Sequence, residues 1–421
     1  MSYSVFSQET FASVLRVGDS QRFGIDLKFD RQQVIDLAMS EVNSDPQLAP
    51  FDRSMVRGKE CVSYRRYRDH LILRVVCRHL RRRLRLTLPS REKIIKGVIE
   101  SLMDSTPMYV LRRDITSFYE SIPTKPLKDQ LLYDSASSEK MRRVLRRYFE
   151  QHCSSSDKGI PRGVGLSAIL AELAMKDFDR RVREVPGVHK CYRFSDDIVI
   201  FCFDRFDSID ADLKNLLPDG MAFSHSKTVS LDLTQTSIQV PAPEFEYLGY
   251  RFRIRGHVGD KSARRVEISI AAKKISRIMT RTVLTFKDFN KTGDFRLLLD
   301  RLRFISCNYR VRRNAMATAG GPTHVRSGIF YSYRFCGVYT GADFKVAASP
   351  SASTELRQLD GFYHALRKGG NSQFAARIAT LSPRHRAVLA RISFLQGFSR
   401  RLTVRFAAKR LHRIRAVWRN A

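Results

Sequence analysis

The stretch KCYRFSDDIVIFCF, Lys190–Phe203, decides the fold of this chain. Two runs rich in β-branched and aromatic residues flank Asp196 and Asp197, and this pattern predicts a β-hairpin that carries both carboxylates at its tip. Adjacent carboxylates repel each other, so a fold rarely gathers them without a cation. Asp is also common at hairpin turns, and this stretch alone fits an ordinary turn equally well.

A second acidic strand end favours the ion-binding interpretation. The stretch MYVLRRDITSFYESI predicts a strand over Met108–Ile115, with Asp114 near its end. Phosphoryl transfer through two metal ions requires carboxylates from separate elements. Mg²⁺ suits such a site because it is a hard cation that binds oxygen ligands together with substrate phosphates. We therefore predict two Mg²⁺ ions as cofactors, with Mn²⁺ as the alternative, and the sequence shows no His/Cys cluster that competes for metal.

These stretches belong to an ordered series of motifs that resembles the palm of reverse transcriptases. The resemblance covers the middle of the chain well, the N-terminal region weakly and the last third hardly at all. The series in its order is far more specific than any one of its members. The motifs are DITSFY (Asp114–Tyr119), GIPRGVGLS (Gly159–Ser167), FSDD (Phe194–Asp197), Lys227 within FSHSKTVSL, and EYLGY (Glu246–Tyr250).

The resemblance implies catalytic roles for the acidic residues and one lysine. Asp114 and Asp196 would be the principal metal ligands, with Asp197 assisting and Ile115 beside them in the metal and nucleotide sites. Lys227 would protonate the departing pyrophosphate as a general acid. The alternative for Lys227 is an ordinary solvated lysine in a loop.

The resemblance also implies a set of nucleotide-binding residues. Tyr119 stands where the family places an aromatic residue beneath the incoming sugar, with Phe118 beside it. A flat ring there leaves no room for a 2′-hydroxyl and favours DNA as the product, whereas an ordinary core aromatic is the alternative. The other predicted nucleotide contacts are Arg162, Gly163 and Ser167 in a loop before a helix, and Arg91 and Lys93 upstream.

Three positions depart from the usual family pattern. Phe194 replaces a Tyr, Ala168 replaces a Pro, and Arg162 replaces a Gln. Gln is a neutral donor and acceptor, whereas Arg is a permanent cation with donors only. We expect the change at Arg162 to bear on how the template is handled.

Charge and composition point to a polyanionic partner. The chain has 421 residues, 75 Lys and Arg against 42 Asp and Glu, and a formal net charge of +33. Nucleic acid is the expected partner, because the positive charge is spread along the whole chain. An anionic membrane surface is the alternative, although no run of about 20 apolar residues is available to cross a bilayer. The seven cysteines form no CxxC pair, and the N-terminus lacks the features of a secretory signal. We expect reduced thiols and a cytoplasmic protein.

Periodicity predicts further elements along the chain. Helices are predicted for Arg65–Leu86, where arginines alternate with apolar residues, for Glu92–Met103 and for Ser167–Val182. Glu246–Arg255 predicts a strand with Gly249 as a bulge or a close approach. The chain is expected to be mostly helical from Ile268 onward.

The last part of the chain is strongly basic. No acidic residue follows Asp360, and an unopposed basic region of this kind usually faces phosphate. We predict that this region binds nucleic acid, while a solvated helical cap is the alternative. The predicted nucleic-acid contacts are Arg400, Arg401, Arg405 and Lys409, together with Tyr247 and Gly249 of the hairpin that resembles the primer grip.

The sequence therefore predicts an α+β fold of the right-hand polymerase type. Fingers and a palm with an antiparallel sheet packed on helices would precede a mainly helical thumb and a basic C-terminal region. The predicted boundaries are 1–107 for the N-terminal and fingers region, 108–255 for the palm, 256–345 for the thumb-like region and 346–421 for the basic region.

The expected function is that of an RNA-directed DNA polymerase. RRDITSFYESIP and GIPRGVGLSAILAEL resemble bacterial reverse transcriptases of the abortive-infection and unclassified groups, many of which act against phage. Alternatives are a template-independent or protein-primed DNA polymerase, a non-catalytic nucleic-acid-binding protein, and an RNA polymerase or primase-like enzyme. Expected partners are an RNA template (possibly a dedicated non-coding RNA), a DNA product, deoxynucleoside triphosphates, and a protein partner or second copy, with no membrane.

Overall fold

A computed structural model gives the structure of the chain. It describes residues 4–16, 19–48, 50–56, 58–104, 106–134, 137–153, 156–204, 206–234, 241–255, 264–312, 324–340 and 353–418. Contacts divide the chain into two compact units. Unit 1 holds the described residues of Met1–Ile94 and Met108–Asp232, and unit 2 those of Ile95–Pro107, Leu233–Arg313 and Pro322–Ala421.

Strands occur in both units. They are β1 Phe51–Val56, β2 Lys59–Tyr64, β3 Tyr109–Asp114, β4 Val188–Phe194, β5 Asp197–Cys202, β6 Val229–Asp232, β7 Glu244–Tyr247, β8 Tyr250–Arg255, β9 Arg265–Ile270, β10 Asn308–Arg312, β11 His324–Gly328, β12 Gly337–Thr340 and β13 Thr403–Arg405.

Helices make up most of the remaining described chain. They are α1 Gln8–Ser13, α2 Asp19–Phe23, α3 Arg31–Asn43, α4 Tyr67–Arg83, α5 Arg91–Met103, α6 Phe118–Ser121, α7 Lys125–Leu132, α8 Glu139–His152, α9 Gly165–Ala174, α10 Lys176–Arg181, α11 Phe206–Leu216, α12 Ala272–Thr292, α13 Phe295–Ser306, α14 Ile329–Tyr333, α15 Ser353–Lys368, α16 Ala375–Ala379, α17 Pro383–Ala390, α18 Phe394–Ser399 and α19 Ala408–Ala416.

An antiparallel sheet in the order β4-β5-β3-β6 is the centre of unit 1. Its central strand β5 is buried along Ile198–Cys202, which explains why this stretch is apolar without alternation. The helices α4, α8 and α9 contribute side chains to the same hydrophobic core. This antiparallel sheet packed on helices confirms the α+β class that the sequence predicts.

The predicted helices of unit 1 are present with small changes at their ends. α4 buries Leu73, Val76 and Leu80 and carries three arginines in its last turn, where they complement the helix dipole. The single helix predicted over Ser167–Val182 is interrupted at Met175, so that α9 and α10 are separate helices. The helix that the basic amphipathic pattern predicts over Arg65–Leu86 is confirmed as α4.

Unit 2 contains more strand than the sequence predicts. One sheet has the order β12-β9-β8-β7 and another has the order β11-β10-β13. Residues 246–255 are not one strand, because Leu248 and Gly249, with φ of 47° and 85°, form the turn of the β7–β8 hairpin. The expectation of a mostly helical chain after Ile268 is confirmed for the described residues, where α12 to α19 cover far more of the chain than the four short strands β10 to β13, which the sequence did not predict.

Two further features concern the helices and the cysteines. None of the helices in the described ranges has the length and apolar character needed to cross a membrane. All seven cysteines are free thiols, as the sequence predicts.

Candidate active site

The β4–β5 hairpin presents Asp196 and Asp197. Phe194 and Asp197 are paired across the hairpin, so that Ser195 and Asp196 form a two-residue turn. Ser195 has a φ of 57°, which is uncommon for a residue other than glycine and costs backbone energy. The buried Arg193 donates a hydrogen bond of 3.1 Å to the Ser195 carbonyl oxygen and secures this turn.

A buried ion network holds Arg193 in place. Its Nη2 lies 2.7 Å from Glu172 Oε2 and 2.6 Å from Asp179 Oδ2, and its side chain is only 4% exposed. Two carboxylates therefore compensate one buried cation, and α9 and α10 are joined to the base of the hairpin. Breaking such a buried pair from one side is strongly destabilising. The position of the Ser195–Asp196 turn thus depends on this buried ion network.

Strand β3 brings Asp114 to the same place. Asp114 is the register partner of Asp197, and the Ile115 amide donates to the Asp196 carbonyl oxygen at 2.9 Å. Directly opposite residues of an antiparallel pair project from the same face. The structure thus brings together the three predicted catalytic carboxylates from two separate elements, and we call this group the acidic corner. Ile115 is buried, so only its backbone is available to the site.

The acidic corner is partly buried, although Asp196 and Asp197 lie at the hairpin tip that the sequence predicts. Asp114 is 6% exposed, and the side chain of Asp197 is 17% exposed. Burial raises the pKa of Asp197 to about 6, with the carboxylates of Asp114 and Asp196 acting in the same direction against Arg112. Burial also raises the pKa of Asp196, and the Asp114 carboxylate adds to this rise. The corner therefore holds negative charge at a free-energy cost that a cation would relieve.

Two basic side chains already contact the acidic corner. Lys227 Nζ donates to Asp114 Oδ2 at 2.8 Å, and Arg112 Nε donates to Asp197 Oδ1 at 3.0 Å. Across the described ranges, no group of three or more His, Cys, Asp or Glu side chains has the spacing of a metal centre. Three carboxylates nevertheless form the hard oxygen donor set that Mg²⁺ prefers. The residues fit a divalent cation once Asp114 exchanges Lys227 for it.

Tyr119 lies next to the acidic corner, and its ring contacts two other side chains. Its ring is half-buried, packs edge-on against Phe118 with 5.4 Å between centroids, and has the Arg162 guanidinium 4.9 Å above it. Arg162 is held by Glu120 through hydrogen bonds of 2.7 and 3.0 Å. Burial raises the pKa of Tyr119, so that its hydroxyl remains protonated. The ring is therefore fixed by packing and by a cation–π contact.

The loop before α9 approaches the β1–β2 hairpin closely. The Val62 amide donates to the Arg162 carbonyl oxygen at 2.7 Å. Gly163 has a φ of 92°, and a Cβ there would lie 2.5 Å from the Val62 carbonyl oxygen, so only glycine fits. Ser167 is 1% exposed and bonds Tyr148 Oη at 2.8 Å, which means that it shapes the loop from inside and does not present its hydroxyl to a nucleotide.

Several predicted residues belong to elements other than those that carry the acidic corner. Arg91 and Lys93 are in the first turn of α5, outside the sheet that carries the aspartates. Tyr247, which is 1% exposed, and Gly249 belong to the β7–β8 hairpin of unit 2.

The predicted contacts of the basic region have different surroundings. Arg400 and Arg405 are exposed, and the Arg401 guanidinium lies 4.4 Å above the Phe330 ring. Lys409 is in α19, and its side chain falls outside the described part of the structure. The region is not wholly unopposed, because Arg410 pairs with Asp300 at 2.6 Å and Arg413 with Asp294 at 3.3 Å.

Sequence reasoning missed three residues that shape the site. Arg112 and Arg113 are adjacent in β3, and their side chains lie on opposite faces of the strand. Arg112 contacts Asp197, while the buried Arg113 pairs with Asp210 at 2.7 Å. The period of two along β3 was the available signal for this division. Glu120 had no comparable signal, because its pairing with Arg162 depends on how the loop folds back.

One comparison of the sequence with known protein families covers the residues of this site. The family model for the reverse transcriptase (RNA-dependent DNA polymerase) matches residues 66–252, which include every motif from Asp114 to Tyr250. No curated protein sequence matches the chain.

Two telomerase structures are similar to the chain at a low level. Apo telomerase from Candida tropicalis, truncated from its C-terminal domain, is 14% identical with a TM-score of 0.34, over 55% of this chain and 48% of that one. Telomerase from Candida albicans in complex with a TWJ fragment of telomeric RNA is 13% identical with a TM-score of 0.32, over 66% of this chain and 50% of that one. The chain thus spans about half the length of these structures. The family match thus assigns residues 66–252, which are less than half of the chain, to a reverse transcriptase domain.

Proposed function

We propose that this protein is an active RNA-directed DNA polymerase that adds deoxynucleotides to a 3′-hydroxyl by two-metal phosphoryl transfer. The observation that carries the proposal is the meeting of Asp114, Asp196 and Asp197 at adjacent strand ends inside the reverse transcriptase domain. Nothing in an ordinary hairpin turn requires a third carboxylate on the neighbouring strand.

The acidic corner would hold two Mg²⁺ ions, with Asp114 and Asp196 as the principal ligands and Asp197 and the Ile115 backbone assisting. When bound, such ions activate the attacking hydroxyl and offset the charge of the triphosphate and the leaving pyrophosphate. Lys227 contacts Asp114 and would leave it when this carboxylate binds metal. The Lys227 ammonium would then donate a proton to the pyrophosphate oxygen.

The nucleotide-binding surface is proposed to lie over Tyr119 and Phe118. The Tyr119 ring is held between Phe118 and the Arg162 guanidinium, which leaves it little freedom to move aside for a 2′-hydroxyl. Arg162 and the Gly163 backbone form the adjacent loop, while Arg91 and Lys93 supply cations toward the triphosphate. Deoxynucleotides are therefore the proposed substrates.

Domain boundaries, nucleic-acid partners and location are proposed from the sequence. We propose fingers within 1–107, a palm over 108–255, a thumb-like region over 256–345 and a basic nucleic-acid-binding region over 346–421. An RNA template, possibly a dedicated non-coding RNA, and a DNA product are the proposed nucleic acids. A cytoplasmic location and a protein partner or second copy are proposed as well.

We also propose a role in bacterial defence against phage. The support is the resemblance of RRDITSFYESIP and GIPRGVGLSAILAEL to abortive-infection and unclassified bacterial reverse transcriptases. The test is plating efficiency of a phage panel on cells that carry the wild-type gene or its Asp196→Asn variant. Protection that survives this substitution, or no protection by the wild type, contradicts the role.

A second candidate is synthesis without a template. The observation in its favour is the Arg162–Glu120 ion pair above Tyr119, because a neutral Gln at position 162 is replaced by a cation that is already engaged. A fixed cation there changes the environment of the nascent base pair. Product sequence separates the candidates, since templated DNA copies a definable RNA and untemplated DNA has biased composition.

The polymerase itself is tested with the purified chain, a primed RNA template, deoxynucleotides and Mg²⁺. We expect incorporation by the wild type and by Asp212→Asn, which removes an exposed acid elsewhere in unit 1, and none by Asp196→Asn. Equal incorporation by Asp196→Asn would sink the catalytic assignment. No incorporation by the wild type, with intact RNA binding, would favour a non-catalytic binding protein.

A further inference from the structure

A row of three arginines crosses the β11-β10-β13 sheet of unit 2. The register pairs Arg310 with Arg326 on one side and with Arg405 on the other. Directly opposite residues of neighbouring strands share a face, so the three side chains leave the sheet together. We call this group the arginine row. The sequences of β10 and β11 contain no basic motif that predicts their pairing with the strand of Arg405.

The opposite face of this sheet packs inward. Tyr309 alternates with Arg310, is 9% exposed and stacks on Phe304 with 4.5 Å between ring centroids. Because side chains alternate along a strand, the arginine row belongs to the other, outer face. Arg326 and Arg405 are accordingly exposed, and Arg310 between them is half-buried.

The arginine row has no counter-charge among the described residues. None of its members forms an ion pair there, and the buried Nε of Arg310 has no hydrogen-bond partner. The acids of α13 and its N-cap are used by other arginines, since Asp300 pairs with Arg410 and Asp294 with Arg413. Like charges directly opposite on a sheet are destabilising, and a buried guanidinium nitrogen without a partner adds to this cost.

We propose that the arginine row is a phosphate-binding site for a nucleic-acid backbone. Guanidinium groups match phosphate oxygens in a bidentate geometry, and two inter-strand spacings give the row a length of about 10 Å. Arg401, stacked on Phe330 of the neighbouring α14, adds a further fixed cation to this unit. The inference rests on the proposed function in taking nucleic acid as the partner, but it concerns binding and not chemistry.

The test measures binding of a labelled RNA–DNA duplex by fluorescence anisotropy at several KCl concentrations, without nucleotides. The row variant is Arg310→Gln/Arg326→Gln/Arg405→Gln in the full chain. The matched control is Lys273→Gln/Lys287→Gln/Arg296→Gln, which removes the same charge from exposed sites of the same unit outside the basic region 346–421. We expect the row variant to bind on the order of 100-fold more weakly at 0.1 M salt, with a log–log salt slope shallower by about 2 to 3.

The control should remain within a few-fold of the wild type. Equal losses in both triple variants, or wild-type affinity and slope in the row variant, would overturn the inference. The labelled duplex can also be displaced by polyglutamate or by unlabelled duplex, compared at equal concentrations of negative charge. Displacement at a lower charge concentration by polyglutamate would overturn the inference, since the row would then prefer an acidic protein.

Two further measurements keep binding apart from folding and from catalysis. Arg326→Gln/Arg405→Gln changes only exposed side chains, and we expect at least 10-fold weaker binding with an unchanged or higher melting temperature in low salt. A lower melting temperature with unchanged binding would assign the row a structural role. Asp196→Asn should bind the duplex as the wild type does, so failure of the polymerase and failure of the row are distinguishable.

Discussion

The acidic corner and the arginine row place like charges directly opposite one another in two different sheets. Asp114 faces Asp197 in unit 1, and Arg310 faces Arg326 and Arg405 in unit 2. Such pairs destabilise a sheet by roughly 0.2–1 kcal/mol each when exposed and by more when buried. Both arrangements are therefore best explained by a ligand of the opposite charge.

The two regions differ in what the chain itself supplies. Lys227 and Arg112 contact the acidic corner, whereas the arginine row has no described acidic partner. The corner is also partly buried, while two of the three arginines are exposed. A buried site with competing internal cations suits a small ion held at fixed positions, and an open row suits an extended polyanion.

The largest expected effect comes from removing the acidic corner. Asp196→Ala/Asp197→Ala should lower nucleotide incorporation at least about 10³-fold, since metal stabilisation of the transition state is worth several kcal/mol. Loss of mutual repulsion should leave the metal-free melting temperature unchanged or higher. The control is Asp212→Ala/Asp219→Ala at exposed positions, and a double mutant that incorporates nucleotides normally refutes the assignment.

The second prediction concerns pH and the metal-free protein. The folded pKa of Asp197 is about 6, above its ordinary 3.8, so the stability that wild type has below pH 4 is lost as pH rises toward 6. The side chain introduced by Asp197→Asn does not titrate. The free energy of unfolding of this variant should therefore exceed that of wild type by an advantage that grows across that window, to as much as about 3 kcal/mol at pH 7. Urea unfolding in EDTA measures it, and an advantage that is constant from pH 4 to 7 contradicts the electrostatic account.

The third prediction separates the two roles of Lys227. Lys227→Gln removes the proposed general acid and should lower kcat about 100-fold. The same change frees Asp114 from an ion pair, so the Mg²⁺ concentration at half-maximal rate should not increase. Lys214→Gln, at an exposed site of α11, is the control. A higher Mg²⁺ requirement with unchanged kcat would show that Lys227 only supports the corner.

The smallest expected effect is on sugar selection. Tyr119→Ala opens space beside the 2′-carbon and should lower the ratio of kcat/KM for a deoxynucleotide to that for its ribonucleotide about 10-fold. Tyr133→Ala, at a residue that is 81% exposed, serves as the control. An unchanged ratio would mean that Tyr119 is only a core aromatic and that the sugar is recognised elsewhere.

Local sequence predicted the acidic corner because its three carboxylates sit at the ends of strands with clear apolar patterns. The palm sheet, α4 and the hairpin turn at Ser195 follow from the same local signals. The support of the corner did not follow, since Arg193 meets Glu172 and Asp179 only after the helices have packed.

The arginine row was beyond sequence reasoning for a related reason. Arg405 is far along the chain from Arg310, and only strand register places them side by side. Charge along the chain therefore indicated a basic region but not which of its arginines act together.

The central claim is that the acidic corner gathers like charge in order to bind a divalent cation. The most direct test is Mn²⁺ binding, followed by electron paramagnetic resonance, in wild type, Asp196→Asn and Asp212→Asn without nucleic acid. We expect wild type and Asp212→Asn to bind Mn²⁺ with equal affinity and Asp196→Asn to bind it at least 10-fold more weakly. Equal Mn²⁺ binding by all three proteins would contradict the claim.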